Sequence, residues 1–253
     1  MLFDTHAHYD DEAFDPDRDA VLSALPAAGV GLVLCPGCDL DTSRQSIQLA
    51  EAYPHVYAAA GVHPEDALGL PVDWLDQVAE MTRHPKVKAI GEIGLDYYWK
   101  EVPRDLQKEV FRAQLQLAKV LDLPVIVHDR EAHADCLAIV REFPGVRGVF
   151  HCYSGSAEDA KTLVKLGWHL SFTGTITFKN ARKAPEVIAA VPLERIMVET
   201  DAPYMAPTPF RGKRCDSRYV YRMAETIAEI KGLTPAEVEQ ATTENGKALF
   251  AIP

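Results

Sequence analysis

Eight short apolar runs, separated by segments with helical periodicity, constrain the fold of this chain more than any other feature. Most of the runs are rich in β-branched residues, as is typical of strands buried on both faces. Repeated alternation of strand and helix indicates parallel strands joined by crossover connections. Eight such units in 253 residues predict an α/β fold, a (β/α)₈ barrel formed as a single domain over residues 1–253, with a doubly wound open sheet as the alternative. The predicted strands are Leu2–Thr5, Gly31–Cys35, Val56–Gly61, Val87–Gly91, Pro124–Val127, Gly148–Phe150, His169–Phe172 and Arg195–Glu199.

Local patterns also predict individual helices between the strands. Ser156 followed by Asp159 indicates the N-terminal cap of one helix. Thr234-Pro235 begins the last helix, with proline in its first turn. A third helix carries an apolar stripe opposite charged residues, formed by Leu106, Val110, Phe111, Leu117 and Leu121.

Residues that bind metals or transfer protons follow or close six of the predicted strands. His6 and His8 are two residues apart at the end of the first strand, so their imidazoles project from the same face. Two imidazoles so placed can grip a divalent cation. Barrel enzymes place their active sites at the C-terminal ends of the strands. Although any one of these residues could be structural, we therefore expect seven to converge: His6, His8, His63, Glu92, His128, His151 and Asp201.

Six strings in the chain resemble those of TatD-type metal-dependent hydrolases, which belong to the amidohydrolase-like barrel superfamily. The resemblance spans almost the whole chain. It implies a (β/α)₈ fold with a two-metal site and, for several members, deoxyribonuclease activity. The strings are Asp4-Thr5-His6-Ala7-His8, Gly61-Val62-His63-Pro64, Gly91-Glu92-Ile93-Gly94-Leu95-Asp96-Tyr97-Tyr98, Phe150-His151-Cys152-Tyr153-Ser154-Gly155, Thr175-Ile176-Thr177-Phe178-Lys179-Asn180-Ala181 and Glu199-Thr200-Asp201-Ala202-Pro203-Tyr204.

The resemblance gives Glu92 the role of bridging two metals, which a carboxylate with two oxygens can do and an imidazole cannot. Related barrels often bridge with a carboxylated lysine on the fourth strand; its absence here points away from the lactonase and dihydroorotase branches. Mixed imidazole and carboxylate ligands suit Zn²⁺, Mn²⁺ or Mg²⁺ and do not choose among them. In this assignment one metal is bound by His6, His8 and Asp201, and the other by His128 and His151, with Glu92 shared.

The expected reaction is metal-assisted hydrolysis, in which a water activated by the two metals attacks phosphorus. Asp201 would be both a ligand and the base that accepts the proton of this water. His63 would donate to the leaving oxygen or to a substrate phosphate; alternatively it caps the loop before Pro64. Arg130 follows His128 by two residues and either clamps a phosphate or is a solvated arginine.

The segment Pro207–Arg214 places three cations in a short loop on the predicted active face. A cationic loop there suits phosphate recognition, and we assign Arg211 as a second phosphate clamp; a solvated charge run is the alternative. Phe210 replaces the small polar or imidazole residue usual in the family, and Asp129 follows His128 where threonine or serine is common. Asp129 either alters metal preference or caps the next helix.

Two further groups of side chains have open interpretations. Tyr97, Tyr98 and Trp99 either stack on a nucleobase or form a hydrophobic lid over the barrel mouth. Cys35-Pro36-Gly37-Cys38 has the spacing of a redox motif or of half a zinc site, but no second cysteine pair exists. We therefore interpret it as a plain loop.

Composition bears on the compartment in which the protein functions and on its partners. The chain has five scattered cysteines, no secretory leader and no apolar run of membrane-spanning length, which together predict a cytoplasmic protein without membrane contact. A net charge of −11 argues against broad, non-specific nucleic-acid binding, although bound cations and a local basic patch can reverse the field inside a cleft. No obligate protein partner is evident, and a monomer is expected.

Three functions are compatible with these observations. The first is a phosphodiesterase acting on DNA, a deoxyribonuclease that trims single strands from an end. The second is a metal-dependent ester or amide hydrolase, such as a D-aminoacyl-tRNA deacylase, in which the same water attacks a carbonyl. The third is a scaffold protein with a vestigial metal site, which the complete set of predicted ligands argues against.

Overall fold

The computed structural model describes residues 1–253 as a parallel β-barrel surrounded by helices. The eight strands are hydrogen-bonded in chain order, and every neighbouring pair is parallel. The last strand returns to the first, because Thr5 N donates to Val198 O over 3.2 Å and Ala7 forms a parallel bridge with Ala202. The predicted (β/α)₈ barrel is confirmed, and the open-sheet alternative is wrong. The strands are β1 (Leu2–Asp4), β2 (Val30–Pro36), β3 (Val56–Ala60), β4 (Val87–Asp96), β5 (Val125–Arg130), β6 (Gly148–Phe150), β7 (His169–Phe172) and β8 (Ile196–Val198).

Nine α-helices cover the outside of the barrel or follow its last strand. None of them combines the length and apolar character needed to cross a bilayer. The helices are α1 (Arg18–Ala24), α2 (Leu40–Ala52), α3 (Trp74–Met81), α4 (Arg104–Leu121), α5 (His133–Glu142), α6 (Ala157–Lys165), α7 (Lys183–Ala190), α8 (Tyr221–Lys231) and α9 (Pro235–Phe250).

Strand β4 is longer than the sequence predicts. Glu92 was expected to close this strand, but β4 continues to Asp96 because the chain pairs with β5 again after a register shift between Ile90 and Ile93. Such an irregularity bends a strand and re-aims its side chains. Glu92 therefore lies at the irregularity inside β4, and His128 lies within β5 rather than after it.

The barrel interior explains why the predicted site residues share one face. One buried side chain from each of seven strands packs into an inner cluster, which includes Ile126, Val149 and Met197. His128 and His151 lie two residues beyond Ile126 and Val149, so they project from the same face, one step nearer the C-terminal end. The opposite end of this cluster contains residues that follow or end α9, among them Phe250.

Helices begin where the predicted capping residues lie. Ser156 Oγ accepts from Asp159 N over 3.0 Å at the start of α6. Thr234 and Glu237 form a reciprocal capping box at the start of α9. These caps satisfy amide groups that have no partner within the helix, which fixes where each helix starts.

Helix α4 packs along a stripe that only partly matches the predicted one. Val110, Phe111 and Leu115 are buried against the barrel and its neighbouring loops. Leu121, predicted in the stripe, is 39% exposed. The exposure of Leu121 has a geometric cause, because Leu121 is the last residue of α4 and the helix has there passed the edge of the core.

Matched leucine substitutions on α4 test this packing. Leu115→Ala should lower the free energy of unfolding by about 2–5 kcal/mol, because it leaves a cavity in a fully buried site. Leu121→Ala should cost less than about 1 kcal/mol, because the side chain is already partly solvated. Urea unfolding monitored by circular dichroism measures both. Equal losses would show that α4 packs differently.

Candidate metal centre

All seven predicted site residues converge at the C-terminal end of the barrel, around the carboxylate of Glu92. The Oε2 atom of Glu92 lies 3.1 Å from His6 Nε2 and 3.6 Å from His8 Nε2. Asp201 Oδ1 lies 3.7 Å and 3.5 Å from the same two nitrogens. We call His6, His8 and Asp201 the first half of the cluster.

The other oxygen of Glu92 faces a separate set of imidazoles. Its Oε1 atom lies 2.7 Å from His151 Nε2, 2.9 Å from His128 Nδ1 and 3.7 Å from His63 Nε2. We call His63, His128 and His151 the second half. The rings of His6 and His151 stack in parallel at 4.0 Å between centroids, so the two halves are in contact.

The electrostatics of the cluster favour positive charge between the side chains. Burial disfavours ionisation of Glu92, yet the imidazoles, first His151 and then His6, hold the pKa of this carboxyl well below its ordinary value. Burial likewise opposes ionisation of Asp201, but its hydrogen bond with His8 and the surrounding imidazoles lower its pKa to about 2. Both carboxylates are therefore anionic at neutral pH, although neither has contact with lysine or arginine.

These donors fit divalent cations. His6 Nε2 and His8 Nε2 lie 3.1 Å apart and face the same carboxylate oxygen, an arrangement of nitrogen lone pairs that a cation would satisfy. Glu92 belongs to two groups of three residues, and within each group the donor atoms lie within 4.8 Å of one another. The groups are His6, His8 and Glu92, and His63, Glu92 and His128. The chemistry of the donor set matches a metal centre on each side of Glu92.

Two buried carboxylates behind the imidazoles were missed from the sequence. Asp96 Oδ2 lies 2.9 Å from His128 Nε2, the nitrogen that faces away from Glu92. Glu199 Oε1 lies 3.6 Å from His151 Nδ1, and Glu199 accepts hydrogen bonds of 2.6 Å from Cys152 N and Ser171 Oγ. A carboxylate in this position orients a metal-binding imidazole and raises its basicity. Both residues lie inside strings that carry the family resemblance, and this was the only indication in the sequence that they belong to the site.

A third buried carboxylate fixes the position of Asp201. Asp4 accepts from Thr200 N over 2.9 Å and from Thr200 Oγ1 over 2.6 Å. Because Asp4 is on β1 and Thr200 follows β8, these bonds tie the two ends of the barrel sheet together. Asp201 is therefore held beside His6 and His8 by the closure of the barrel itself.

The position of His63 is compatible with both roles proposed from the sequence, that of loop cap and that of hydrogen-bond donor. Its Nδ1 accepts from Glu65 N over 3.2 Å and caps a short 3₁₀ helix, Pro64–Asp66. Burial lowers the pKa of His63 to about 3, so the ring is neutral at pH 7. Because Nδ1 is an acceptor, Nε2 carries the proton and presents it toward Glu92 and the open mouth. In this form His63 is a hydrogen-bond donor rather than a ligand, and the imidazoles left to hold a metal in the second half are His128 and His151.

Arg130 and Arg211 lie at the rim of the barrel mouth rather than in the cluster. The Arg130 guanidinium stacks on Tyr98, 4.0 Å from the ring centroid, and that of Arg211 stacks on Phe178 at 4.1 Å. Both guanidinium groups contact aromatic rings rather than forming an ion pair, and Arg130 is near enough to Glu65 to offset part of the rise that burial causes in the pKa of that carboxyl. Phe210, unusual for the family, stacks on Tyr219 at 4.3 Å and anchors the loop that carries Arg211.

Asp129 does not reach the cluster. It points to the other face of β5 from His128, and its Oδ2 lies 2.8 Å from His133 Nδ1 at the start of α5. Asp129 does not cap α5 either, because the N-cap residue is Ala132 and no side chain caps the helix; the carboxylate pairs with the imidazole of His133 instead.

The two neighbouring cysteines are not a redox pair. All five cysteines are free thiols. Cys35 is buried within β2, and Cys38 Sγ lies 3.9 Å from His8 Nδ1. Burial raises the pKa of the Cys38 thiol to about 11, opposite to the lowered pKa of a reactive cysteine.

Comparison with known proteins places this geometry in a family. The sequence profile of the family described as "TatD related DNase" matches residues 3–251. The chain belongs to the TatD family. Over its full length it is 45% identical to the uncharacterized metal-dependent hydrolase YabD of Bacillus subtilis, covering all of that protein. It is 32% identical to a protein of Citrobacter rodentium named 3′-5′ ssDNA/RNA exonuclease TatD, covering 99% of this chain and 98% of the other.

A solved structure shows the same architecture. The crystal structure of YjjV, a TatD homologue from Escherichia coli, superposes with a TM-score of 0.93 at 34% identity, covering 100% of this chain and 98% of the other. This TatD family member is a metal-dependent hydrolase, with histidine and glutamate clusters able to bind metal ions.

The role assigned to Asp96 can be tested by removing its charge. In Asp96→Asn, the affinity for divalent metal should fall about 10- to 100-fold, because His128 loses its anionic partner. Calorimetric titration of the metal-free protein with Mn²⁺ or Zn²⁺ measures this. Asp76→Asn, an exposed acid on α3, is the matched control and should bind as the wild type does. Unchanged affinity in Asp96→Asn would remove Asp96 from the site.

Proposed function

We propose that this TatD family member is a phosphodiesterase that hydrolyses single-stranded nucleic acid, DNA first of all, from an end. Two divalent cations, Zn²⁺, Mn²⁺ or Mg²⁺, would be held on the two sides of Glu92. The observation that carries the proposal is a group of cations without acidic partners on the same rim as the cluster. The name of the Citrobacter relative, 3′-5′ ssDNA/RNA exonuclease, supports the substrate class.

The position of these cations matters because the chain as a whole is acidic, with a net charge of −11. Arg214, which follows β8, is held by Asp17 at 2.7 Å. The loops after β7 and β8, with the first residue of α7, carry five further cations that form no ion pair, all at the C-terminal end of the barrel. We call them the basic rim: Lys179, Arg182, Lys183, Arg211 and Lys213. Such a local patch attracts phosphates and can overcome an unfavourable overall charge.

A cleft lies between the basic rim and the segment that follows Asp201. Its volume is about 540 Å³, and its lining includes Phe178, Tyr204, Arg211 and Lys213. Met205 also lines it, and its sulfur lies 3.5 Å from Cys152 Sγ, next to His151 in the chain. The cleft therefore presents cationic and aromatic side chains, together with Asp11, next to the segment that carries Asp201.

Residues of the cluster and of this cleft would have different roles in hydrolysis. Divalent cations, when bound, would polarise the phosphoryl oxygen and acidify water. Asp201 is anionic and lies beside His6 and His8, so it could accept the proton of the attacking water. The Nε2 proton of His63 could stabilise the departing oxygen. Arg211 would orient the phosphate through its guanidinium edge while its face stays on Phe178.

A turnover screen separates this proposal from ester hydrolysis. The metal-replete protein should cleave single-stranded DNA and bis-nitrophenyl phosphate, and should release no amino acid from D-aminoacyl-tRNA. Chelator treatment should abolish turnover, and Mn²⁺, Mg²⁺ or Zn²⁺ should restore it to different extents. Glu92→Ala controls for contaminating nuclease and should be inactive but folded. Turnover of the aminoacyl ester alone would contradict the phosphodiesterase proposal and favour the deacylase alternative.

Arg211 should contribute to substrate binding more than to chemistry. Arg211→Ala should raise KM several-fold with little loss of kcat, because a phosphate contact is lost. The slope of log(kcat/KM) against log salt concentration should become shallower by about 0.7, the contribution of one single-strand phosphate contact. Arg83→Ala is the control, because Arg83 follows α3 at the far end of the barrel and its side chain is 77% exposed. A loss confined to kcat would rule out the clamp role of Arg211.

A further inference from the structure

A second group of aromatic and cationic side chains lies on the other side of the barrel mouth. Tyr98 and Trp99 follow β4, are 47% and 46% exposed, and meet edge to face at 4.9 Å between ring centroids. The Arg130 guanidinium lies 4.0 Å from the Tyr98 centroid and 5.9 Å from that of Trp99. We call these three residues the distal clamp. They offer half-exposed rings and a guanidinium that forms no ion pair, although Glu65 is near enough for Arg130 to offset part of the rise that burial causes in its pKa. Such rings and guanidinium groups bind an unstacked base and its phosphate.

The distal clamp is held in a fixed position relative to the candidate metal centre. Asp96 Oδ1 accepts from Tyr98 N over 2.9 Å and from Trp99 N over 3.1 Å, while its Oδ2 faces His128. The buried side chain of Gln107 donates to Asp96 O and to Val102 O, which secures the loop from behind. One carboxylate therefore positions both the aromatic pair and an imidazole of the cluster, so the clamp is a built feature and not a loose surface loop.

The clamp and the basic rim lie on different sides of the mouth. The clamp belongs to β4, β5 and the loop between β4 and α4, whereas the basic rim follows β7 and β8, about three strands further round the barrel. An eight-stranded barrel at normal strand spacing and tilt is roughly 15 Å across. A chain running from one group to the other crosses the barrel mouth in which the cluster lies. At the rise of about 3.4 Å per nucleotide in a stacked strand, it contains at most about four nucleotides.

We propose that Tyr98, Trp99 and Arg130 bind a nucleotide a few positions away from the scissile phosphate, so that a single strand is held across the mouth at two points. This inference rests on the proposed function and names its preferred substrate: an oligonucleotide long enough to reach both groups. Bases in a duplex are stacked and paired, so they cannot lie on the clamp; the arrangement therefore selects single strands.

The experiment measures kcat/KM for oligothymidylates of increasing length, from the dinucleotide to the octanucleotide, with the metal-replete protein. In the wild type, kcat/KM should rise with length up to about four nucleotides and then level off. In Trp99→Ala, Tyr98→Ala and Arg130→Ala, the ratio of kcat/KM for the octanucleotide to that for the dinucleotide should fall about 10-fold each, mainly through KM. Trp99→Phe and Tyr98→Phe retain a ring and should recover most of the ratio.

Controls separate this inference from the proposed function. Arg83→Ala removes the same charge at the far end of the barrel and should keep the wild-type ratio. Cleavage of all lengths with equal kcat/KM would overturn the clamp while leaving the phosphodiesterase proposal intact. A loss in the alanine variants that is equal for every length would also overturn it, and would indicate an aromatic lid. No cleavage of any oligonucleotide would refute the proposed function itself.

Discussion

The carboxylate of Glu92, buried at the C-terminal end of the barrel, is the constraint on which the rest of the site depends. A buried carboxylate is costly unless it is paired. Here no lysine or arginine reaches it; five imidazoles do, divided between its two oxygens. This division gives the site two halves that share one anion. A charge of this kind is stable when positive charge lies on both sides of it, which is what a pair of divalent cations would supply.

The barrel supplies the rigidity that such an arrangement needs. Three further buried carboxylates hold its parts in place: Asp4 closes the sheet beside Asp201, Asp96 supports His128, and Glu199 supports His151. Asp96 also fixes the distal clamp, so the clamp and the cluster share one support. In the proposed function, binding and chemistry would be separated in space, because buried carboxylates lie inside the mouth and unpaired cations lie around it. Such a separation would let an acidic protein attract a phosphate without neutralising its own metal ligands.

Strand alternation and the position of each histidine predict the fold and the convergence of the site, because both follow from period-two geometry and barrel topology. The family resemblance adds the expectation that Glu92 bridges two metals. Three features could not be read from the chain. The register shift that places Glu92 inside β4 depends on pairing with β5. The partners of Asp96 and Glu199 depend on contacts between separate strands. The sequence also shows three similar cations after β8, whereas the structure shows that Arg214 is held by Asp17 and Arg211 is free.

If Glu92 is shared by two cations, one on each oxygen, anomalous scattering from crystals grown with Mn²⁺ should locate both. Two peaks are expected about 3.5–4 Å apart, one next to Oε2 with His6 and His8, and one next to Oε1 with His128 and His151. A single peak, two peaks on the same oxygen, or no peak at Glu92 would contradict the sharing of Glu92 by two cations.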